Sequence, residues 1–189
     1  MKRILISSAG LPSKQIGSWT NRLTLFLKEH PDFFYRVLSP TATPDQQFVF
    51  CKKRKPYPGF FLKLLRKSAS LSAAAQYLDS LDQLAKSESQ LQLVVMDDLA
   101  LLEAAACWKW ANRKRKEVRI DFSFHGHDFI LPESWGNQVD QVLFLTQLGY
   151  LDTRSKNAVF TPQVQFVGNG ADSRCLLYTS PSPRDRQKS

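Results

Sequence analysis

The stretch Leu91 to Met96, reading Leu-Gln-Leu-Val-Val-Met before Asp97-Asp98, constrains the fold more than any other. It is a near-continuous apolar run, too short for a helix of ordinary length and rich in β-branched residues. A strand of that kind is expected where a sheet is covered on both faces. Similar segments recur along the chain. Lys2 to Ser8 ends at Ala9-Gly10, Phe33 to Leu38 and Phe48 to Cys51 follow, and Val118 to Phe124, Gln141 to Thr146 and Val164 to Val167 come later. Helical spacing lies between them: Trp19, Leu23, Phe26 and Leu27 with Ser18 placed to cap the first turn, then Leu71, Ala75, Leu78 and Leu81, then Leu99 to Lys116, and a short helix marked by Leu148 and Leu151. Strands alternating with helices predict an α/β domain built on a doubly wound, Rossmann-like parallel sheet.

An apolar share of 43% over 189 residues suffices for one real core. The apolar stretch after Met1-Lys2-Arg3 stops at Ser7, too soon for a secretory signal. No run is long enough to span a bilayer, and a cytoplasmic location fits. Cys51, Cys107 and Cys175 have neither metal-site spacing nor the density of a disulfide framework, so they read as reduced thiols.

The formal charge of +9 sits largely in two blocks. One runs from Lys52 to Lys55 and continues through Lys63, Arg66 and Lys67; the other is Arg113 to Lys116. Excess of this kind favours polyanions, whether nucleic acid, an anionic membrane face or phosphorylated substrates, or it is a solvated face with no partner. At Arg113 to Lys116 the cations also complement a helix carboxyl end, which explains them with no ligand.

In a doubly wound sheet, ligands bind beyond the carboxyl ends of the strands. The candidate residues fall in those loops. Gly17 and Ser18 precede a helix, where free N–H groups and the helix dipole form a phosphate seat, or where a tight turn simply needs glycine. The remaining glycines of a dinucleotide fingerprint are missing. The segment Ser-Phe-His-Gly-His-Asp brings His125, His127 and Asp128 to a strand end around Gly126, which allows a close approach or a sharp bend. A metal pair there has no evident third ligand. A neutral histidine bonded to substrate and histidines satisfied within the loop are the other readings. Asp97 and Asp98 either hold a hydroxyl-rich ligand or cap the helix that starts at Leu99. Thr146 and Asn169 complete the set at later strand ends.

Taken in order, the strand at Ile4, the glycine loop before a helix, Leu-Val-Val-Met-Asp-Asp, Phe-Ser-Phe-His-Gly-His-Asp-Phe, the strand and helix from Val139 to Lys156, and Val-Gln-Phe-Val-Gly-Asn-Gly-Ala-Asp-Ser resemble the amino-terminal half of family 4 glycosyltransferases. These are two-domain enzymes of the GT-B type. The resemblance implies sugar transfer from a nucleotide-activated donor to an acceptor with retention and without an essential metal or cofactor. It implies that residues 1–174 are the acceptor-side domain, and that a second, carboxy-terminal domain carries most of the donor site. His125 matches the family's functional histidine, expected near the reacting carbon of the donor sugar. Gly17 and Ser18 match the loop meeting the donor phosphates or the acceptor, although Ile16-Gly17 replaces the commoner paired glycines. Asp97, Asp98, His127, Asp128, Thr146 and Asn169 are then acceptor or cleft residues.

The implied partners are a nucleotide-sugar and a bacterial surface-glycan or lipid-linked acceptor, with no nucleic acid. The basic aromatic segment from Lys52 to Lys67 suits an anionic membrane surface, touched by Lys53, Arg54, Phe60, Phe61 and Lys63, or else its aromatics pack in the core. Cys175 to Asp185 can be encoded by a string that resembles a transposon-end sequencing adapter, so residues 175–189 are expected to be a non-native tail and the chain alone is expected not to turn over. The competing expectation is a non-catalytic basic domain of the same fold that binds nucleotides or nucleic acid.

Overall fold

The computed structural model describes residues 1–12, 19–53, 69–126 and 128–167. Seven strands form one sheet: β1 (Lys2–Ser7), β2 (Arg36–Ser39), β3 (Phe48–Phe50), β4 (Gln90–Met96), β5 (Glu117–Phe124), β6 (Gln141–Phe144) and β7 (Gln163–Phe166). Their order is β3-β2-β1-β4-β5-β6-β7 and every pairing is parallel. The helices are α1 (Trp19–Glu29), α2 (Ala69–Ala73), α3 (Ala75–Leu84), α4 (Leu99–Asn112), α5 (Glu133–Gly136) and α6 (Gln147–Lys156). The protein is an α/β domain with a Rossmann-like, doubly wound sheet.

Alternate strand residues point to opposite faces, and they divide into two cores. Ile4, Ile6, Leu91, Leu93, Val95, Ile120, Phe122, Val142 and Phe144 are buried with α3, α4 and α5, and Leu71 of α2 and Tyr150 of α6 pack against them. Leu5, Val37 and Met96 lie on the other face with Leu27 of α1, against which Trp19, Leu23, Phe26 and Val94 pack. Over the amino halves of β4 to β7 this second face is polar. A ladder of side-chain hydrogen bonds runs from Arg3 to Gln92, Asp121, Arg119, Gln141 and Gln165. The expectation of apolar coverage on both sides therefore holds for the upper half of β4, whereas Gln90 and Gln92 make its lower half alternate.

Some boundaries moved for physical reasons. β2 begins at Arg36 rather than Phe33, because Phe33 and Phe34 turn to pack edge-on with each other and Phe33 meets Phe26 of α1. The helix expected from Leu71 to Leu81 is two helices, broken at Ala74 (φ −91°, ψ 7°). α4 stops at Asn112 and turns, with the N–H groups of Arg115 and Lys116 both bonded to Asn112 O. Lys116 Nζ then donates to the carbonyls of Ala85 and Glu88, and Arg113 caps Trp110 O while lying 4.0 Å over its ring. Two of the four cations in this block thus serve carbonyls at helix ends. Pro132 opens α5, a single turn that no hydrophobic period announced. Cys51 is a buried free thiol and Cys107 a half-buried one. Burial pushes both thiols above the ordinary value.

Candidate functional site

β1 is the switch point of the topology. The chain leaves it toward β2 and β3, then returns to add β4 on its other side. In sheets of this kind ligands bind beyond the strand ends at such a point. Four chemically capable residues meet around it: Asp97 and Asp98 after β4, His125 after β5, and Lys53 after β3.

Asp97 is held at φ 50°, a left-handed conformation that costs most side chains but that aspartate adopts more readily. Its own N–H donates to Ser123 O, locking the end of β4 to β5. Its carboxylate then bridges to the next loop: Oδ1 accepts from the backbone N–H of His125 at 2.6 Å, and Oδ2 meets His125 Nδ1 at 2.8 Å. Trp19, the first residue of α1, stacks on the His125 ring with centroids 5.0 Å apart and planes 8° from parallel. The imidazole is therefore gripped at one edge and on one face, and both it and Asp97 are about one-fifth exposed.

Asp98 does a different job. Its Oδ1 accepts from the N–H groups of Ala100 and Leu101, capping α4, and its Oδ2 receives Lys53 Nζ at 2.8 Å. Burial raises this carboxyl, but bonds from Lys53, Leu101 N–H and Ser8 outweigh it, so the net shift is downward. A carboxylate with a depressed folded pKa contributes stability that is present in full above the ordinary value of 3.8 and is lost as pH falls through the folded value. Asp98→Ala is expected to lose about 1–2 kcal/mol with the cap. Asp98→Asn keeps a capping oxygen but not the ion pair, so its stability deficit at pH 7 should close toward pH 2. Urea melts of both proteins across that range check this, and a deficit that widens on acidification contradicts it.

The other expected residues divide clearly. Thr146 is the N-cap of α6, its Oγ1 accepting from Gly149 N–H at 3.0 Å. Asp128 pairs with Lys156 of α6 at 2.5 Å, both partly exposed. Neither has a hydrogen bond to Asp97 or His125 among the described residues. A Cβ on Gly126 would come within 2.5 Å of the Phe124 ring, so the close approach this glycine allows is made by the protein's own aromatic side chain. Lys53, expected at a membrane surface, is the ion-pair partner of Asp98. Gly17, Ser18, His127 and Asn169, and the membrane candidates Arg54, Phe60, Phe61 and Lys63, lie outside the described residues.

Two residues near the site have little sequence signal. Trp19 reads as the first apolar position of α1; the one available signal is an aromatic directly after the glycine-serine loop. Tyr77 of α3 is buried, and its hydroxyl donates to Ser7 O at 3.0 Å, tying the end of β1 to that helix. Burial pushes its phenol far above the ordinary range.

Among the described residues no three His, Cys, Asp or Glu side chains are grouped to hold a metal ion. Among the described residues no helix is long and apolar enough to cross a membrane. No family model matches the chain, and no curated protein is similar enough to count as a relative.

Proposed function

We propose that this domain is the acceptor-side half of a retaining glycosyltransferase of the GT-B type, working on a nucleotide-sugar and a surface-glycan or lipid-linked acceptor. The observation that carries the reading is the position of His125, clamped by Asp97 and faced by Trp19 at the switch point of a Rossmann-like sheet. It is supported by the order of the sequence blocks, which resemble the family's first domain and place a histidine at this strand end.

The chemistry fits the residues. Sugar transfer breaks the bond between the anomeric carbon and a nucleoside diphosphate, so negative charge builds on the leaving phosphate while the sugar becomes cationic in character. Fixed hydrogen-bond donors must meet the first charge without reorganising. On this reading they come from the loop before α1 and from a partner domain that binds the nucleotide. A histidine held in one orientation positions the sugar hydroxyls. A tryptophan face suits the apolar face of a pyranose. Closure between two domains excludes the water that would hydrolyse the donor.

The test is saturation-transfer NMR on the purified chain with UDP-glucose, UDP and a single-stranded oligonucleotide. Transfer to the sugar protons of UDP-glucose, lost in His125→Ala, is the expected result, with no turnover by this chain alone. Binding of the oligonucleotide or of UDP with no contribution from the sugar favours a nucleotide- or nucleic-acid-binding module instead. Sugar transfer by this chain alone contradicts the two-domain division of labour.

A further inference from the structure

We infer that Asp97 fixes His125 as the Nδ1–H tautomer, leaving Nε2 as a hydrogen-bond acceptor for a ligand that brings a donor. The inference does not rest on the glycosyl-transfer reading.

An ionised aspartate only accepts hydrogen bonds. Oδ2 of Asp97 stands 2.8 Å from Nδ1 of His125, so the proton must sit on Nδ1. The second oxygen is occupied by the backbone N–H of the same residue, so the carboxylate cannot swing away without losing both bonds. Stacking on Trp19 fixes the ring plane. When the ring carries a single proton, the remaining polar atom is Nε2, which bears a lone pair and has no hydrogen bond among the described residues. In water the histidine side chain prefers the opposite tautomer, so the clamp reverses an intrinsic preference.

The backbone supports the same assignment. Holding Asp97 at φ 50° strains a residue that glycine would replace at no conformational cost. The side chain is what an aspartate adds at this position, and its two oxygens are both spent on His125. Asp97 is thus a positioning residue: it reaches the ligand only through the ring it orients. The lone pair it leaves at Nε2 can accept a hydrogen bond from a donor such as an O–H.

The experiment uses the ¹⁵N-labelled full chain at pH 8, with the His125 imidazole identified by its loss in His125→Gln. Long-range ¹H–¹⁵N correlations should show a protonated Nδ1 and an acceptor-type Nε2. Asp97→Gly deletes the clamp while suiting the backbone, and it should shift the ring to the Nε2–H form; Asp97→Asn, which keeps one acceptor oxygen, should retain part of the Nδ1–H form. An Nε2–H or doubly protonated ring in the unmodified protein, or an unchanged tautomer in Asp97→Gly, overturns the clamp.

Discussion

Phe122→Ala is expected to lower the unfolding free energy by about 4 kcal/mol, the largest effect of any single side-chain truncation considered for this domain. Phe122 is fully buried in β5, near the middle of the sheet. Its ring lies 5.2 Å from Phe129, nearly perpendicular, and 5.6 Å from Phe124. The chain of rings continues along the same face through Phe144, Tyr150 and Phe160 toward the β7 edge. Removing a benzyl group leaves a void, and the parallel ladders to β4 and β6 prevent the backbone from closing on it. Urea melts should show a lower midpoint with an unchanged slope. A loss under about 1 kcal/mol would mean that the α4 and α5 layer settles into the space, and that the core is far less rigid than its burial implies.

Asn157→Ala is expected to cost about 3 kcal/mol, although it removes only a small polar group. Asn157 follows α6 and is buried. Its Oδ1 accepts from Leu131 N–H at 2.6 Å, while its Nδ2 donates to the carbonyls of Phe129 and Thr153. Alanine leaves a buried donor with no partner and strips one bond from each of two carbonyls. Asn157→Asp should fare no better, because a carboxylate would face both carbonyl oxygens. Thermal melts of both variants measure the cost. Amide exchange at Leu131 should rise selectively in the alanine variant; protection that stays as in the unmodified protein would show that another acceptor takes over. The segment so pinned runs directly on from the His125 loop, and its loosening should reach the candidate site.

Sequence patterns are most informative where the signal is local. The apolar runs at Ile4 and Leu91, the helical spacing after Trp19 and Leu99, and the capping aspartate at position 98 each depend on neighbours a few residues away. Such patterns survive in any context that buries one face. They are less informative where burial is decided by a distant element. Phe33 to Tyr35 have strand character but turn out of the sheet to meet α1. Gln92 sits inside an apolar run, yet belongs to a polar ladder reaching five strands. Asn157 resembles any residue at the end of a helix, and nothing nearby reveals that it holds a loop more than twenty residues upstream.

The candidate site shows the same division. Residue type and a place at strand ends single out His125 and Asp97, but as unconnected possibilities. What joins them is a hydrogen bond between residues 28 apart in the chain. Trp19 has no such signal, because an aromatic on a helix stripe is ordinarily a core residue.

That the chain forms an α/β domain with a parallel sheet, and that its polar chemistry gathers at strand ends, is legible in short segments, because period and turn chemistry are local properties. That β4 adds beside β1, and that Asp97, His125 and Trp19 come together, follows only from the packed fold. Strand order is a choice among partners distant in the chain, settled by how the helical layers pack on both faces, and no single segment carries that information.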